Sequence, residues 1–187
     1  MIKLYTNREL SELLGVNLAK WKRWSREFLP PDPLGGMQSG FARQYYFRDA
    51  FHVMLGGHLV GDLHFSVYNA RRIMEDLNGW LSERGFYQRP GKKTDSKNEE
   101  IRISEYKIFI QHFSEGTKKE IEFSYTIRGI MFNKPLLNSS TDIREERYVE
   151  EVTPSKHTKK SETKLMYEKI INISSLYNNF VKKIGCN

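Results

Sequence analysis

The sequence predicts an α+β fold made of a helical N-terminal domain, a small antiparallel β-rich domain and a C-terminal helix. Apolar residues recur at helical spacing as far as Leu81, alternate beyond residue 100, and return to helical spacing near the C-terminus. The predicted boundaries are residues 1–87, a polar linker over 88–100, the β-rich domain over 101–153 and the C-terminal helical segment over 154–187.

The first helix is predicted from its start and stop signals. Thr6 and Glu9 have the spacing of a capping box, and three leucines follow as an apolar stripe: Leu10, Leu13 and Leu14. Gly15 stands where positive φ would end the helix, and Asn17 is a suitable N-cap for a second helix. The chain is therefore expected to make two helices joined by a tight turn.

The second helix, from Leu18 to about Phe28, has an apolar and a cationic side. The apolar positions are Leu18, Trp21, Trp24 and Phe28, and the cationic positions are Lys20, Lys22, Arg23 and Arg26. This arrangement is typical of a recognition helix, which packs through one side and enters the DNA major groove with the other. The alternative is a helical hairpin whose basic side is merely solvated.

A wing is predicted after the second helix. Pro30, Pro31 and Pro33 end the helix, and Leu34 to Gly40 form a glycine-rich loop. Alternation from Phe41 to Tyr46 then indicates a strand, on which Arg43 and Gln44 are placed to contact DNA. Helices, loop and strand together predict a winged helix-turn-helix.

Two further helices are predicted to complete the N-terminal domain. The third carries an apolar stripe of Phe51, Met54, Leu55, His58 and Leu59, and its Gly56, Gly57 and Gly61 would let a neighbouring helix approach closely. Ser66 caps the fourth, whose buried side is Val67, Ala70, Ile73, Leu77 and Leu81.

The order of these features resembles the MerR family of transcriptional regulators, over about residues 5–81. The family's "GV", "LLPP", "R-x-Y" and helix-opening "D" are similar to Gly15-Val16, Phe28-Leu29-Pro30-Pro31, Arg43-Gln44-Tyr45 and Asp49, and its "GFSLxxI" is similar to Leu63-His64-Phe65-Ser66. The family's Arg-Tyr-Tyr is replaced by Lys22-Arg23-Trp24, so an operator does not carry over. The resemblance implies a dimer that reads palindromic promoters, with RNA polymerase as a further partner.

A β-rich domain is predicted beyond the linker. Tyr106 to Phe113 and Ile121 to Arg128 read as the strands of a hairpin, and Arg147 to Val152 as a further strand. Their aromatic residues would form the hairpin's core or, alternatively, line an apolar ligand pocket.

The C-terminal helix is predicted from heptad spacing. Its apolar residues are separated by 4, 3, 4, 3 and 4 positions: Met166, Ile170, Ile173, Tyr177, Phe180 and Ile184. Such a stripe packs on its own hairpin or forms a dimer contact. The dimer is preferred because members of the MerR family pair through C-terminal helices.

Composition favours a polyanionic partner and a reducing compartment. The formal net charge is +7 over 187 residues, and residues 1–48 hold eight Lys or Arg against four Asp or Glu. A single cysteine, Cys186, excludes a disulfide framework and a cysteine-based zinc site. No secretory h-region or membrane-spanning run is present in the sequence, so the protein is expected to be cytoplasmic.

The sequence carries no signature of catalysis or of a cofactor. The cluster of Gly35, Gly36 and Gly40 lacks the Lys-Ser/Thr of a phosphate loop, and the spacing of His52, His58 and His64 does not stack them on one helical side. We therefore expect neither an enzyme nor a metal or cofactor site.

The sequence thus predicts a dimeric, sequence-specific regulator that binds double-stranded DNA. The predicted DNA contacts are Asn17, Lys20, Lys22, Arg23, Arg26, Arg43 and Gln44, and the predicted dimer contacts are the six residues from Met166 to Ile184. The alternatives are a phage or plasmid DNA-architecture protein of the excisionase or packaging-initiation type, and a protein-interaction adaptor that does not bind DNA.

Overall fold

The computed structural model describes residues 3–32, 43–90, 103–114, 122–132, 146–154 and 164–185. These residues form five helices and two small antiparallel sheets, so the fold is mixed α+β as expected. The chain divides into two compact units: Met1–Lys92 with Tyr177–Asn187, and Lys93–Leu176.

The first unit contains four helices ahead of the second unit. In chain order its elements are β1 (Tyr5–Thr6), α1 (Asn7–Leu14), α2 (Leu18–Phe28), β2 (Gln44–Tyr45), α3 (Phe47–Gly61) and α4 (Val67–Glu83). Strand β2 pairs antiparallel with β1, with Tyr45 opposite Tyr5. The predicted glycine-rich loop and the first part of the wing strand lie outside the described residues.

The local signals read from the sequence determine where these helices begin and end. The Thr6 amide donates to the Glu9 carboxylate at 2.7 Å and the Thr6 hydroxyl accepts from the Glu9 amide, which confirms the capping box. Gly15 has a φ of 69°, and the Asn17 side chain caps α2 by accepting from the amides of Ala19 and Lys20. Ser66 caps α4. These predictions are therefore confirmed.

Helix α2 packs closely against α3 because α3 presents two glycines at the contact. A Cβ atom on Gly57 would lie 2.3 Å from the Trp24 ring, and one on Gly56 would lie 2.5 Å from the Phe28 ring. Only a residue without a side chain leaves room for those rings. The prediction that small residues on the third helix allow close approach is confirmed.

Helix α4 is tied to α2 by a polar contact. The Arg71 guanidinium donates to both the backbone carbonyl and the carboxylate of Glu27, each at 2.7 Å. Arg71 therefore fixes the end of α2 from outside the apolar core.

The second unit contains a four-stranded antiparallel sheet. Its strands are β3 (Ile103–Ser114), β4 (Glu122–Phe132), β5 (Glu146–Pro154) and β6 (Lys164–Asn172), in the spatial order β5-β4-β3-β6. Alternate side chains on one side of the sheet are buried: Ile108, Ile110, Phe123, Tyr125, Ile127 and Ile171. The predicted hairpin and third strand are present, and the aromatic residues on the buried side belong to this core.

The predicted long C-terminal helix is wrong over its first half. Met166 and Ile170 lie in strand β6, and helix α5 (Ile173–Lys183) begins only afterwards. Eight residues of β6 pair with β3, so the ladder decides the backbone conformation there. Asn172 marks the boundary, because its side chain accepts from the Ser175 amide at 2.9 Å as an N-cap does.

The part of α5 from Tyr177 onward completes the core of the first unit. Phe180 packs edge-on against the Phe47 ring and at a tilt against the Phe51 ring, with centroids 5.3 and 5.4 Å apart. The Lys183 ammonium donates to the Leu14 carbonyl at the end of α1, at 2.8 Å. The first unit is therefore discontinuous in sequence, and the second unit is inserted into it.

Candidate nucleic-acid interface

Helix α2 separates an apolar side from a cationic side. Trp21, Ser25 and Phe28 are buried on one side. Lys22, Arg23 and Arg26 are exposed on the other. Because Arg26 is four positions from Lys22 and three from Arg23, the three side chains lie together on one side of the helix. In the part of the chain that the structure describes, none of the three forms an ion pair.

A groove of about 630 Å³ lies between helix α2, strand β2 and the residues that follow α2, Leu29 to Asp32. Its charged lining consists of Lys22, Arg26 and Arg43 with one carboxylate, Asp32. Three cations against one anion make the groove electropositive, and a concave surface concentrates that field. The exposed side of α2 and the groove therefore form a continuous cationic surface.

Arg43 is held in place at the edge of this groove. Its guanidinium donates to the Pro30 carbonyl at 2.8 Å and lies over the Tyr45 ring, 5.7 Å from the centroid. The sequence predicts Arg43 on the wing strand, where it is placed to contact DNA. In the structure, the Pro30 carbonyl orients the Arg43 side chain. Arg43 therefore also connects the segment that follows α2 to strand β2.

Three other residues predicted to contact DNA have additional local contacts. The Asn17 side-chain oxygen is occupied by the cap of α2, at 2.9 Å from the Ala19 amide. The Lys20 ammonium lies over the Trp24 ring, 4.8 Å from its centroid, and faces Gly61 rather than the side of Arg23. Gln44 is exposed opposite Thr6 in the β1–β2 ladder. The structure thus brings together Lys22, Arg23, Arg26 and Arg43, and leaves Lys20 at the flank.

A buried polar network, not predicted from the sequence, fixes β2 against α2. The Tyr45 hydroxyl donates to the Asn7 side-chain oxygen at 2.6 Å and lies 2.7 Å from the Ser25 hydroxyl. With its own proton donated to Asn7, the Tyr45 oxygen accepts from Ser25. Ser25 at a core position of α2 was the sequence feature that could have indicated this network, because a buried hydroxyl group requires a hydrogen-bond partner.

The three histidines of the first unit do not form a cluster. The His52 Nδ1 lies 3.1 Å from the Tyr87 hydroxyl, whereas the His58 Nδ1 contacts the Asp62 carboxylate at 2.6 Å. Burial lowers the pKa of His52, and the nearby Arg48 guanidinium acts in the same direction. Burial also raises the pKa of Tyr87 to about 12. This pair is a partly buried structural contact.

The residues predicted to form the dimer contact fall into two groups. Met166 and Ile170 are exposed on β6. Ile173, Phe180 and Ile184 are buried within their own chain, and Tyr177 is half-buried with its hydroxyl donating to the Gln88 carbonyl at 2.7 Å. The second group is therefore already covered and does not offer a free stripe to another copy.

The comparisons with known proteins give no relative: no protein-family model and no curated protein matches this chain. In the described residues, none of the helices is both long enough and apolar enough to cross a membrane. Any assignment of function must therefore come from the geometry of the cationic surface.

Proposed function

We propose that this protein binds double-stranded DNA through a winged helix-turn-helix formed by α1, α2 and the segment ending in β2. The observation that carries the proposal is the joint exposure of Lys22, Arg23 and Arg26 on one side of α2. An α-helix fits the major groove, where arginine and lysine recognise guanine edges.

The opposite side of α2 supports this role by holding the helix rigidly. Trp21 is fully buried, and Trp24 and Phe28 lie against the two glycines of α3. A helix fixed in this way presents its cations in one arrangement, so little conformational freedom is lost on binding. Arg43 and Gln44 would then contact the phosphate backbone beside the groove, which orients the protein without reading sequence.

The proposed biological role is regulation of transcription by a dimer on a palindromic site. Two copies related by a two-fold axis would read two half-sites about one helical turn of DNA apart. RNA polymerase is the further partner that such a role implies. The charge of the first 48 residues, eight basic against four acidic, is of the sign that a polyanionic partner requires.

The test is binding of the full-length protein to a mixed-sequence DNA duplex by fluorescence anisotropy across a salt series. If α2 and the wing neutralise about four phosphates, log K should fall with log salt with a slope of about −3 to −4. Selection from a random duplex library should then yield a palindrome. Binding that is absent, or that does not depend on salt, would contradict the proposal and favour a protein-interaction adaptor.

A further inference from the structure

The groove beside α2 is lined by polar side chains as well as by cations. Asn7, Ser25 and Tyr45 line it together with the three cations described above. Ser25 is 3% exposed and Tyr45 is 1% exposed, so their hydroxyl groups belong to the packed contact between α2 and β2. Asn7 is half-buried. The groove thus combines fixed hydroxyl groups, one partly accessible amide and a surplus of positive charge.

The hydrogen bonds among these three polar side chains run in one direction. The Ser25 hydroxyl donates to the Tyr45 oxygen at 2.7 Å, and the Tyr45 hydroxyl donates to the Asn7 Oδ1 at 2.6 Å. Each hydrogen bond in such a chain polarises the next. The polarised Asn7 carbonyl draws electron density from its own amide nitrogen, which makes the N–H groups of Asn7 stronger donors.

The orientation of the Asn7 amide is fixed by this chain. An asparagine oxygen only accepts and its nitrogen only donates, so the bond from Tyr45 assigns Oδ1 and leaves Nδ2 on the other branch of the amide. Within the described residues, the Asn7 Nδ2 donates to no protein group. A neutral donor of fixed orientation therefore stands beside three cations, without an acceptor from the protein.

We propose that the groove binds a phosphate group and that the Asn7 amide donates a hydrogen bond to one of its oxygens. Phosphate oxygens accept strong hydrogen bonds from charged donors, and asparagine is among the side chains that contact DNA phosphates. Arg43 retains N–H groups for this anion, since its guanidinium has five and the Pro30 carbonyl accepts one. The single carboxylate of the lining, Asp32, leaves positive charge in excess.

The phosphate belongs to the DNA backbone, an assignment that rests on the proposed function. Asn7 then adds a contact from α1 to those made by α2 and the wing. Ser25 and Tyr45 are positioning residues, because they act on the phosphate only through the orientation of the Asn7 amide. A small phosphate ion is the other source of the same chemistry, and the experiments separate the two sources.

The first experiment measures binding of full-length variants to the selected DNA duplex across a salt series. Asn7→Ala should weaken binding about tenfold with an unchanged salt slope, because the lost donor is neutral. Asn7→Asp should weaken binding about a hundredfold, because its carboxylate still accepts from Tyr45 but repels the phosphate. Asn179→Asp is the matched control: it adds the same charge at an exposed position of α5 and should bind like the wild type.

The stability of the same variants separates binding from folding. An aspartate at the first position of α1 lies at the positive end of the helix, so Asn7→Asp should not lower the free energy of unfolding. Weaker DNA binding with unchanged stability would support a phosphate contact. A loss of binding that only follows a loss of stability would overturn it and make Asn7 a structural residue.

A second experiment locates the phosphate and tests the positioning role. DNA phosphates are replaced one at a time by uncharged methylphosphonates, and at one position Asn7→Ala should add no further loss of affinity. Tyr45→Phe should weaken binding of the otherwise wild-type protein and have no effect in the Asn7→Ala background. Equal effects of Tyr45→Phe in both backgrounds would refute the positioning role, and independent losses at every DNA position would refute the Asn7 contact.

A third experiment compares thermal unfolding in inorganic phosphate and in chloride at equal ionic strength. A small ion that occupies the groove should stabilise the wild type but not Asn7→Asp. Such stabilisation without DNA binding would refute the proposed function and keep the phosphate site. DNA binding that neither Asn7 variant weakens, together with no Asn7-dependent stabilisation, would overturn the phosphate site and leave the proposed function standing.

Discussion

The two sides of helix α2 differ in their surroundings: one side is closely packed in the core, and the other is exposed to solvent. On the inner side, the Trp24 ring occupies the space that a Cβ atom on Gly57 would need, and Trp21 is fully buried. On the outer side, Lys22, Arg23 and Arg26 point away from the core. The inner side is determined by close packing, whereas the outer side contributes little to folding and is available for binding.

This comparison indicates how stability and binding are separated on one helix. Burial of large aromatic residues supplies free energy of folding, and exposed cations supply attraction to a polyanion without being needed for the fold. Substitutions on the inner side should therefore change the free energy of unfolding. Substitutions on the outer side should change the affinity for DNA.

The largest effect is expected for Trp21→Ala. Trp21 is fully buried and packs edge-on against Tyr45, with ring centroids 5.8 Å apart, so its removal should cost about 3–5 kcal/mol of unfolding free energy. The matched substitution Arg26→Ala on the outer side should change this free energy by less than about 0.5 kcal/mol. Chemical denaturation measures both, and similar losses would mean that the two sides are not separate.

The next effect concerns the glycine contact beneath α2. Alanine usually stabilises a helix relative to glycine by about 1 kcal/mol. Gly57→Ala should instead destabilise by about 1–3 kcal/mol, because the new Cβ would lie 2.3 Å from the Trp24 ring. Gly79→Ala is the control: nothing lies within 4 Å of its Cβ position on α4, so it should show the ordinary gain. A gain at Gly57 would contradict the close packing.

A smaller effect is expected for Arg43→Ala. Loss of one phosphate contact should weaken DNA binding equally for all sequences and reduce the magnitude of the salt slope by about one. Loss of the hydrogen bond to Pro30 should also cost about 1 kcal/mol of unfolding free energy. An unchanged slope together with this stability loss would show that Arg43 serves the fold alone.

The pH dependence of stability should show the smallest effect. Burial lowers the pKa of His52 below its ordinary value of 6.5, so the unfolded chain binds this proton more readily than the folded chain does. The contribution of His52 to stability is therefore present above pH 6.5 and is lost as the pH falls below that value. His52→Gln should make the pH profile shallower between pH 7 and 5. An identical profile in the variant would assign the acid sensitivity to other groups.

The sequence was informative wherever the structure depends on local chemistry. The capping box, the left-handed Gly15 and the caps at Asn17 and Ser66 are local features, and all were predicted correctly. The separation of α2 into two sides also follows from helical spacing alone. The Tyr45 network was missed because its partners, Asn7 and Ser25, are 38 and 20 residues away in sequence.

The C-terminal segment shows why spacing was insufficient there. Residues four apart, such as Met166 and Ile170, share a side in a helix and also in a regular strand, so the heptad rhythm did not distinguish the two. The ladder between β6 and β3 decided in favour of the strand. The β-branched run around Ile171 and the cap at Asn172 were local signals that a helix begins only afterwards.

The measurement that tests the central claim most directly compares two double variants that each remove two positive charges. Arg23→Ala/Arg26→Ala changes the outer side of α2, and Arg72→Ala/Arg84→Ala changes α4 and the residue that caps its C-terminus. Salt-dependent binding to the selected DNA duplex and the free energy of unfolding are measured for both. We expect the α2 variant to lose about 2–4 kcal/mol of binding and about two units of salt slope with unchanged stability, while the α4 variant retains its binding. Equal loss in both variants would show that net charge alone attracts DNA and would contradict a recognition role for α2.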